Sequence, residues 1–396
     1  MKTTTIAIVT DRYWPSRGGV EQAALALSMA LPSDWPVRII THRPSVGQSL
    51  HAAFTSHKEI PENDPAGRVI EALDPGMRGK LLLLPLLLWN LPILRKRMPR
   101  ILYDVLYLWY RCAFFSRLEK HLAGSDTVHC ISTGYLARCV TEVCLKNGLT
   151  FVHQPFIHFD RWGDSPAQLR AYAAADAVLC PTESFKTKFL DKTDAGFPVH
   201  VTVIPPIIIE TKYPKLQVPP VPGRFILFLG RREAHKGLTE LLVAFSGLEQ
   251  IASLVIAGPG EQLHARNMAI FDLGEVEDQI KMWLLSSCDV FCVPSTDESF
   301  GIVFAEAMSV GKPIVSFDVA PVNEIVRNGE NGILVPPDDA ESLHDALECL
   351  LTDETLKKKM GQTSRIRFEE RFAQEITTRK IIDLHRSLGI HHAKTP

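Results

Sequence analysis

The sequence has eight cysteines but no pair at C-x-x-C spacing, so a cysteine-rich zinc site or dithiol redox centre lacks its usual pattern. Scattered over 396 residues, they are too sparse for a disulfide scaffold and suit a reducing compartment. An excess of either charge is missing too. The 43 Lys and Arg stand against 45 Asp and Glu, so no uniform basic field points to nucleic acid as a partner. No apolar run reaches the ~20 residues that a spanning helix needs. The longest, residues 81–94, is interrupted by Pro85, Asn90 and Pro92. The N-terminus has neither a signal-peptide core nor a small-residue cleavage site, which predicts a cytoplasmic protein. H-E-x-x-H, G-x-S-x-G, the P-loop pattern, G-x-G-x-x-G and D-x-D are all absent. Templates for zinc proteases, serine hydrolases, P-loop NTPases, dinucleotide binding and metal-chelating transferases are therefore unsupported, and no metal is expected.

What is present is ordinary globular composition, 46% hydrophobic and 22% charged, in a chain long enough for two large domains. Short apolar or β-branched runs alternate with helical patterns, which predicts an α/β protein with parallel sheets. The first half reads as strands at Thr5–Val9, Val37–Ile40, Thr127–Cys130, Thr150–His153, Ala177–Cys180 and Val201–Ile204. Repeated prolines from Pro205 to Pro222 then mark a linker. The second half restarts with strands at Phe225–Leu229, Ser253–Ala257, Val290–Val293, Pro313–Phe317 and Gly332–Val335, and ends in helices, the last near Ala373–Leu388. Two doubly wound domains result, with a ligand cleft expected between them at the carboxyl ends of their strands. Charge divides unevenly between the halves. Up to Pro205 there are 23 basic and 18 acidic residues, or +5, and the remainder carries −7. Arg78–Lys120 alone holds nine basic and two acidic residues, or +7. Its apolar and aromatic content fits either a helix lying in a membrane interface or a pair of core helices with a basic outer face.

Four features carry chemistry. In Pro294-Ser-Thr-Asp-Glu-Ser-Phe-Gly-Ile-Val-Phe-Ala-Glu306, Glu298 sits in a loop and Glu306 lies eight positions on, inside a helix opening near Gly301. Slightly over two helical turns lets both carboxylates share one side of a site. The amides of Ser299, Phe300 and Gly301 at the helix start favour an anion. The plainer reading is helix capping by Asp297, Glu298 and Ser299 with a solvated Glu306, although Phe304, Ala305, Ala307 and Met308 make a solvated face less natural. Next, Gly230-Arg231…Lys236-Gly237 follows a strand directly, and two cations there suit a diphosphate, Arg as a planar fork and Lys as a point charge. Third, Gly18-Gly19 opens a helix after the first strand and permits close backbone approach to a phosphate, or is an ordinary glycine turn. Last come two strand-end histidines, His129 and His153, with His158 a weaker candidate just beyond.

Taken in order, Gly18-Gly19-Val20-Glu21, Gly230-Arg231…Lys236-Gly237, Ala257-Gly258-Pro259-Gly260 and Pro294-Ser…Glu298…Glu306-Ala307 resemble the retaining GT-B glycosyltransferases of family 4. The resemblance spans nearly the whole chain and is most specific in its second half. It implies two Rossmann-like domains, an N-terminal acceptor domain of residues 1–205 and a nucleotide-sugar donor domain of residues 206–372. A terminal helix, about 373–396, would cross back to the first. It further implies that Arg231 and Lys236 bind the donor diphosphate, Glu306 the ribose hydroxyls and Glu298 the donor hexose. Phe300, Gly301 and Ile302 would lie near sugar and phosphate, with Gly18 and Gly19 approaching the phosphates. Gly258 belongs to the donor motif, Leu273 would contact the nucleobase through backbone, and His153 would lie near the transferred sugar. In one departure, Pro205-Pro206 replaces the family's common Asn-Gly turn.

The expectation is a metal-independent, retaining hexosyltransferase whose donor is a UDP- or GDP-linked sugar, a substrate and not a cofactor. The acceptor would be a glycan, a lipid-linked molecule or a small molecule, and Arg78–Lys120 a candidate contact with the inner face of a membrane. A GT-B nucleotide-sugar epimerase and a catalytically idle nucleotide-sugar-binding scaffold are the competing readings.

Overall fold

The apolar runs fold as strands of two separate parallel sheets. The computed structural model describes residues 5–16, 18–42, 61–84, 100–193, 200–210, 223–263 and 268–392. Contacts divide the chain into one unit of Met1–Ile207 with Thr378–Pro396 and a second of Ile208–Thr377. The fold is thus α/β with two doubly wound, Rossmann-like units.

The first unit holds β1 (Ile6–Thr10), β2 (Val37–Thr41), β3 (Val69–Ala72), β4 (Thr127–Ile131), β5 (Thr150–His153), β6 (Ala177–Cys180) and β7 (His200–Val203). Their order is β3-β2-β1-β4-β5-β6-β7. Ile8 of β1 pairs with Ile39 on one side and His129 on the other. β1, β4, β5 and β6 are buried along their whole length, as parallel strands covered on both faces must be. β3 is an edge strand with an exposed Val69 and a half-buried Glu71. Its mixed pattern hid it from the sequence reading.

The helix Arg100–Leu122 buries Leu106, Tyr107, Tyr110, Phe114 and Leu118. These recur at helical spacing on one face, and fully burying each such side chain contributes about 1.5–3 kcal/mol. Its other face leaves Val105, Leu108 and Trp109 exposed, and the helix Gly76–Leu82, packed against it, exposes Met77 and Leu81. Much of the +7 segment, residues 85–99, lies outside the described residues. No described helix is long and apolar enough to cross a membrane.

The second unit holds β8 (Phe225–Leu229), β9 (Ser253–Ala257), β10 (Ile270–Gly274), β11 (Val290–Cys292), β12 (Ile314–Phe317) and β13 (Gly332–Val335), ordered β10-β9-β8-β11-β12-β13. β10, another half-buried edge strand, was also not anticipated. In each unit the order reverses once, between β1 and β4 and between β8 and β11. Ligands of open α/β sheets bind beyond the carboxyl ends of strands at such a reversal.

The helices differ in how they begin. Away from the reversal points, Thr182, Asp339, Asp353 and the Ser165–Gln168 capping box close helix starts with side-chain hydrogen bonds. The helices that follow β1, β8 and β11 begin at Gly18, Gly237 and Gly301, which have no side chain to cap them, and the one after β4 begins at Thr133 with the Gly134 amide donating to the Tyr172 hydroxyl.

Candidate active site

In the second unit the site grows from the two loops that leave β8 and β11. The carbonyl oxygen of His235 accepts from the Thr296 amide at 2.8 Å and from Ser295 Oγ at 3.0 Å, tying one loop to the other. This close approach dictates glycine at position 237. Gly237 has φ 71°, and a Cβ there would stand 2.0 Å from the Pro294 carbonyl oxygen. Gly258, at φ 131°, passes the β8 loop equally closely, its added Cβ 2.1 Å from the Gly230 oxygen. Only glycine tolerates both constraints together.

The loop junction brings Lys236 Nζ within 2.6 Å of Glu298 Oε1, with the side chains 12% and 6% exposed. Arg231 stays nearer the surface, with NH1 2.7 Å from Glu233 Oε1. Phe300 is buried and packs edge-on against Phe372, their ring centroids 5.9 Å apart. Only its backbone is therefore available to a ligand. Gly301, at φ 90°, starts the helix Ile302–Ser309, and a Cβ there would meet Phe304 at 2.6 Å. The N-cap position is Gly301, which has no side chain to cap this helix, and the dipole at its start favours an anion.

Glu306 is buried, not solvated, and its Oε1 lies 2.7 Å from Lys281 Nζ. Its second oxygen, Oε2, is buried with no hydrogen-bond partner among the described residues. Lys281 comes from the helix Asp278–Ser287 and was missed in the sequence, where no motif surrounds it. Also missed was Arg232, whose guanidinium forms a buried ion pair with both oxygens of Asp272. Burial alone would raise the Asp272 carboxyl. The Arg232 hydrogen bonds and the amides of Leu263 and Gly274 outweigh it and hold the carboxyl below its usual range. This lock anchors the β8 loop to β10, whose pairing with β9 shifts register between Asp272 and Gly274. Leu273 sits at that irregularity, where the ladder is locally disrupted.

In the first unit His153 ends β5, fully buried, with its ring centroid 4.6 Å from that of Tyr172. Its Nε2 lies 2.8 Å from the Ser132 carbonyl oxygen, an acceptor only, so Nε2 carries the proton and Nδ1 presents a lone pair. Nδ1 is buried without a partner among the described residues, and burial lowers the imidazole pKa to about 4. Ser132 Oγ donates to Asp11 Oδ2 at 2.5 Å. Asp11 follows β1, and desolvation raises its carboxyl to about 6 against the Ser132 hydrogen bond. Residues from the ends of β1, β4 and β5 thus converge, an arrangement that only strand order reveals.

Gly18 has an extended backbone, and a Cβ there would stand 2.3 Å from the Glu21 carboxylate, itself paired with Arg12 at 2.9 Å. Gly19 is the first residue of the following helix. His129 is not at a strand end. It sits in the middle of β4, fully buried, with Nδ1 3.0 Å from Nε2 of His385 in the terminal helix. His158 is buried against Trp162, ring centroids 5.0 Å apart. Among the described residues no group of three or more His, Cys, Asp and Glu side chains converges as metal ligands would.

Residues 210–367 match the family model described as glycosyl transferases group 1. The C-terminal unit belongs to the glycosyl transferases group 1 family. The chain is 39% identical over 158 residues to the phosphatidyl-myo-inositol mannosyltransferase of Mycobacterium leprae, covering 37% of this chain and 41% of that protein. It thus spans about two fifths of the length of the mycobacterial relatives it matches. It is 26% identical over 237 residues to the lipopolysaccharide core biosynthesis glycosyltransferase LpsE of Rhizobium meliloti, covering 57% of this chain and 68% of that one. Outside the group 1 unit the likeness is one of fold. Sucrose-phosphate synthase of Thermosynechococcus elongatus superposes with a TM-score of 0.68 at 19% identity, over 97% of this chain and 99% of the other. HepE of Anabaena, solved with UDP, gives 0.69 at 16% identity over 97% and 100%. The fold is of the GT-B type.

Proposed function

We propose that this protein is a retaining hexosyltransferase that moves a sugar from a nucleotide diphosphate donor, UDP- or GDP-linked, to an acceptor hydroxyl in glycan, polysaccharide or glycolipid biosynthesis. The observation that carries the reading is the Lys236–Glu298 pair beside the helix Ile302–Ser309, whose N-cap position is Gly301. A cation and the amides of a helix start suit a diphosphate, while a carboxylate beside them suits sugar hydroxyls. Relatives that match the group 1 unit include a phosphatidyl-myo-inositol mannosyltransferase, and neighbours in fold include proteins solved with UDP and with UDP-glucose.

As the donor bond breaks, negative charge develops on the leaving diphosphate. In this reading Arg231, Lys236 and the helix-start amides stabilise it, and no metal ion is required. Glu298 orients the hexose, Glu306 the ribose, and the backbone at Leu273 the base. Gly18 and Gly19 approach the phosphates. His153 offers its Nδ1 lone pair to a sugar hydroxyl. The acceptor hydroxyl attacks the face that the diphosphate leaves, and its proton passes to the departing phosphate oxygen, so configuration is retained. The exposed Met77, Leu81, Leu108 and Trp109 and the exposed Arg78 and Lys80 support a peripheral membrane surface on the first unit, for a lipid-linked acceptor at the inner face of a membrane.

The test is incubation of each nucleotide sugar with and without candidate acceptors, following free nucleotide diphosphate and the anomeric configuration of the product. Acceptor-dependent release with retained configuration supports the proposal. Isomerised sugar nucleotide without transfer, or no nucleotide binding, overturns it.

A further inference from the structure

Lys281 stands outside the motifs that suggested the site, yet it makes the closest contact to Glu306. Its Nζ lies 2.7 Å from Oε1, and the two side chains are 14% and 10% exposed. The helix that carries it, Asp278–Ser287, packs against the helix Ile302–Ser309 that carries Glu306. A second carboxylate, Asp278, stands 3.9 Å from the same ammonium on its exposed side. The Ser309 hydroxyl donates to the backbone oxygen of Glu306 and leaves the carboxylate alone. Lys281 therefore holds one oxygen of Glu306, and the other is buried without a donor among the described residues.

We propose that Lys281 is a positioning residue of the nucleotide site: by occupying one oxygen of Glu306 it aims the other at the sugar hydroxyls of the nucleotide, and so sets selectivity for ribonucleotides over deoxyribonucleotides. This rests on Glu306 being the ribose-binding carboxylate. A buried acceptor that has lost water and gained no donor is costly, and a ligand hydroxyl removes that cost. A carboxylate free at both oxygens turns about its last torsion, which is broad and roughly two-fold. An ammonium on one oxygen stops that turning. A ligand lacking the hydroxyl leaves Oε2 unpaired in the complex, and rejection of such an analogue is strong where the site's polar group is buried.

The experiment titrates the full chain calorimetrically with UDP and GDP. For whichever binds more tightly, it compares the ribonucleotide with its 2′-deoxy and 3′-deoxy forms. The wild type is expected to bind the ribonucleotide at least about tenfold more tightly than one of the deoxy forms, as loss of a charge-assisted hydrogen bond implies. In Lys281→Met the ratio should fall towards one, with deoxy affinity little changed, and Lys281→Arg should restore much of it. The ratio is internal to each variant, so a general loss of stability does not imitate the effect, and Lys281→Gln replaces the Met variant if that one fails to fold. An unchanged ratio in Lys281→Met overturns the role of Lys281 while leaving Glu306 in place. A wild type that binds ribo and deoxy forms equally overturns the Glu306 reading itself, and the role of Lys281 with it.

Discussion

Lys236 and Glu298, 62 positions apart, meet at 2.6 Å because two strands adjacent in space are followed by loops that share one carbonyl oxygen. The pair is mostly buried, so each partner screens the other until a ligand arrives. Under the proposed function a diphosphate would compete for the ammonium and a sugar hydroxyl for the carboxylate.

Substitution of the two partners should therefore separate binding from chemistry. Lys236→Ala, and likewise Arg231→Ala, is expected to weaken nucleotide diphosphate binding and lower kcat by about 10²–10³, the usual effect of removing one preorganised donor at a developing charge. Glu298→Gln should lose transfer by a comparable factor while binding the nucleotide diphosphate almost as the wild type does. Steady-state transfer and calorimetric titration measure the two effects, and a Glu298→Gln enzyme of normal turnover would remove that residue from the sugar site.

Gly237→Ala tests the loop junction. The added Cβ meets the Pro294 carbonyl at 2.0 Å, and the residue must also keep φ 71°. Strain of this kind costs about 1–3 kcal/mol, which at ~2–4 °C per kcal/mol for a unit of this size lowers the melting temperature by several degrees. Donor binding should fall with it, because the same shift separates Lys236 from Glu298. Gly223→Ala, where a Cβ meets nothing within 4 Å, serves as the control for a positive-φ glycine in open space.

Buried titrating groups give the first unit a pH dependence of defined sign. Burial lowers His385 to about 4 from its ordinary 6.5. Its folded pKa lies below its unfolded one, so its contribution is complete above about 6.5 and is lost as pH falls towards 4. His385→Asn should make the loss of stability across that window shallower by up to about 1.4 kcal/mol per pH unit, the equivalent of one proton. Asp11 runs the other way. Raised to about 6 from 3.8, it contributes most below 3.8, and the contribution is lost as pH rises through 6. Asp11→Asn should therefore gain on the wild type between pH 4 and 6.5. Urea midpoints measured across pH 4–7.5 check both signs, and parallel slopes in variant and wild type would exclude the residue concerned.

Vesicle co-sedimentation tests the outer face of the first unit. Anionic lipid should bind the protein at least about tenfold better than neutral lipid, since each basic residue near an anionic surface adds about 1 kcal/mol. Replacement of Leu81 and Trp109 by Glu should reduce that binding. Equal partition between anionic and neutral vesicles would leave this face without a lipid role.

The central strands could be read from the sequence because strands covered on both faces are nearly continuous apolar runs, as in Phe225–Leu229 and Val290–Val293. β3 and β10 could not, because half-buried residues and the acidic Glu71 and Asp272 interrupt their apolar runs, whereas the edge strands β7 and β13 keep theirs. Glycines 237 and 301 stood out in motifs, but the atoms that forbid a side chain there, Pro294 O and Phe304, lie 57 and 3 positions away. Arg231 and Lys236 announced themselves beside a strand. Lys281, Asp272 and Asp11 did not, because each gains its meaning from a partner 25, 40 or 121 residues distant. Strand order, not local composition, makes those pairs.

The terminal helix leaves one unit at Thr377 and joins the other at Thr378, so the chain passes between its two units twice. A stop at codon 378 would leave the preceding unit whole and wound the opposite end of the gene product. Without His385, the imidazole of His129 would face an empty slot 249 residues upstream of the break. Residues from Thr378 onward complete the first unit, so any tag, truncation or cleavage there should be judged by what it does to that unit.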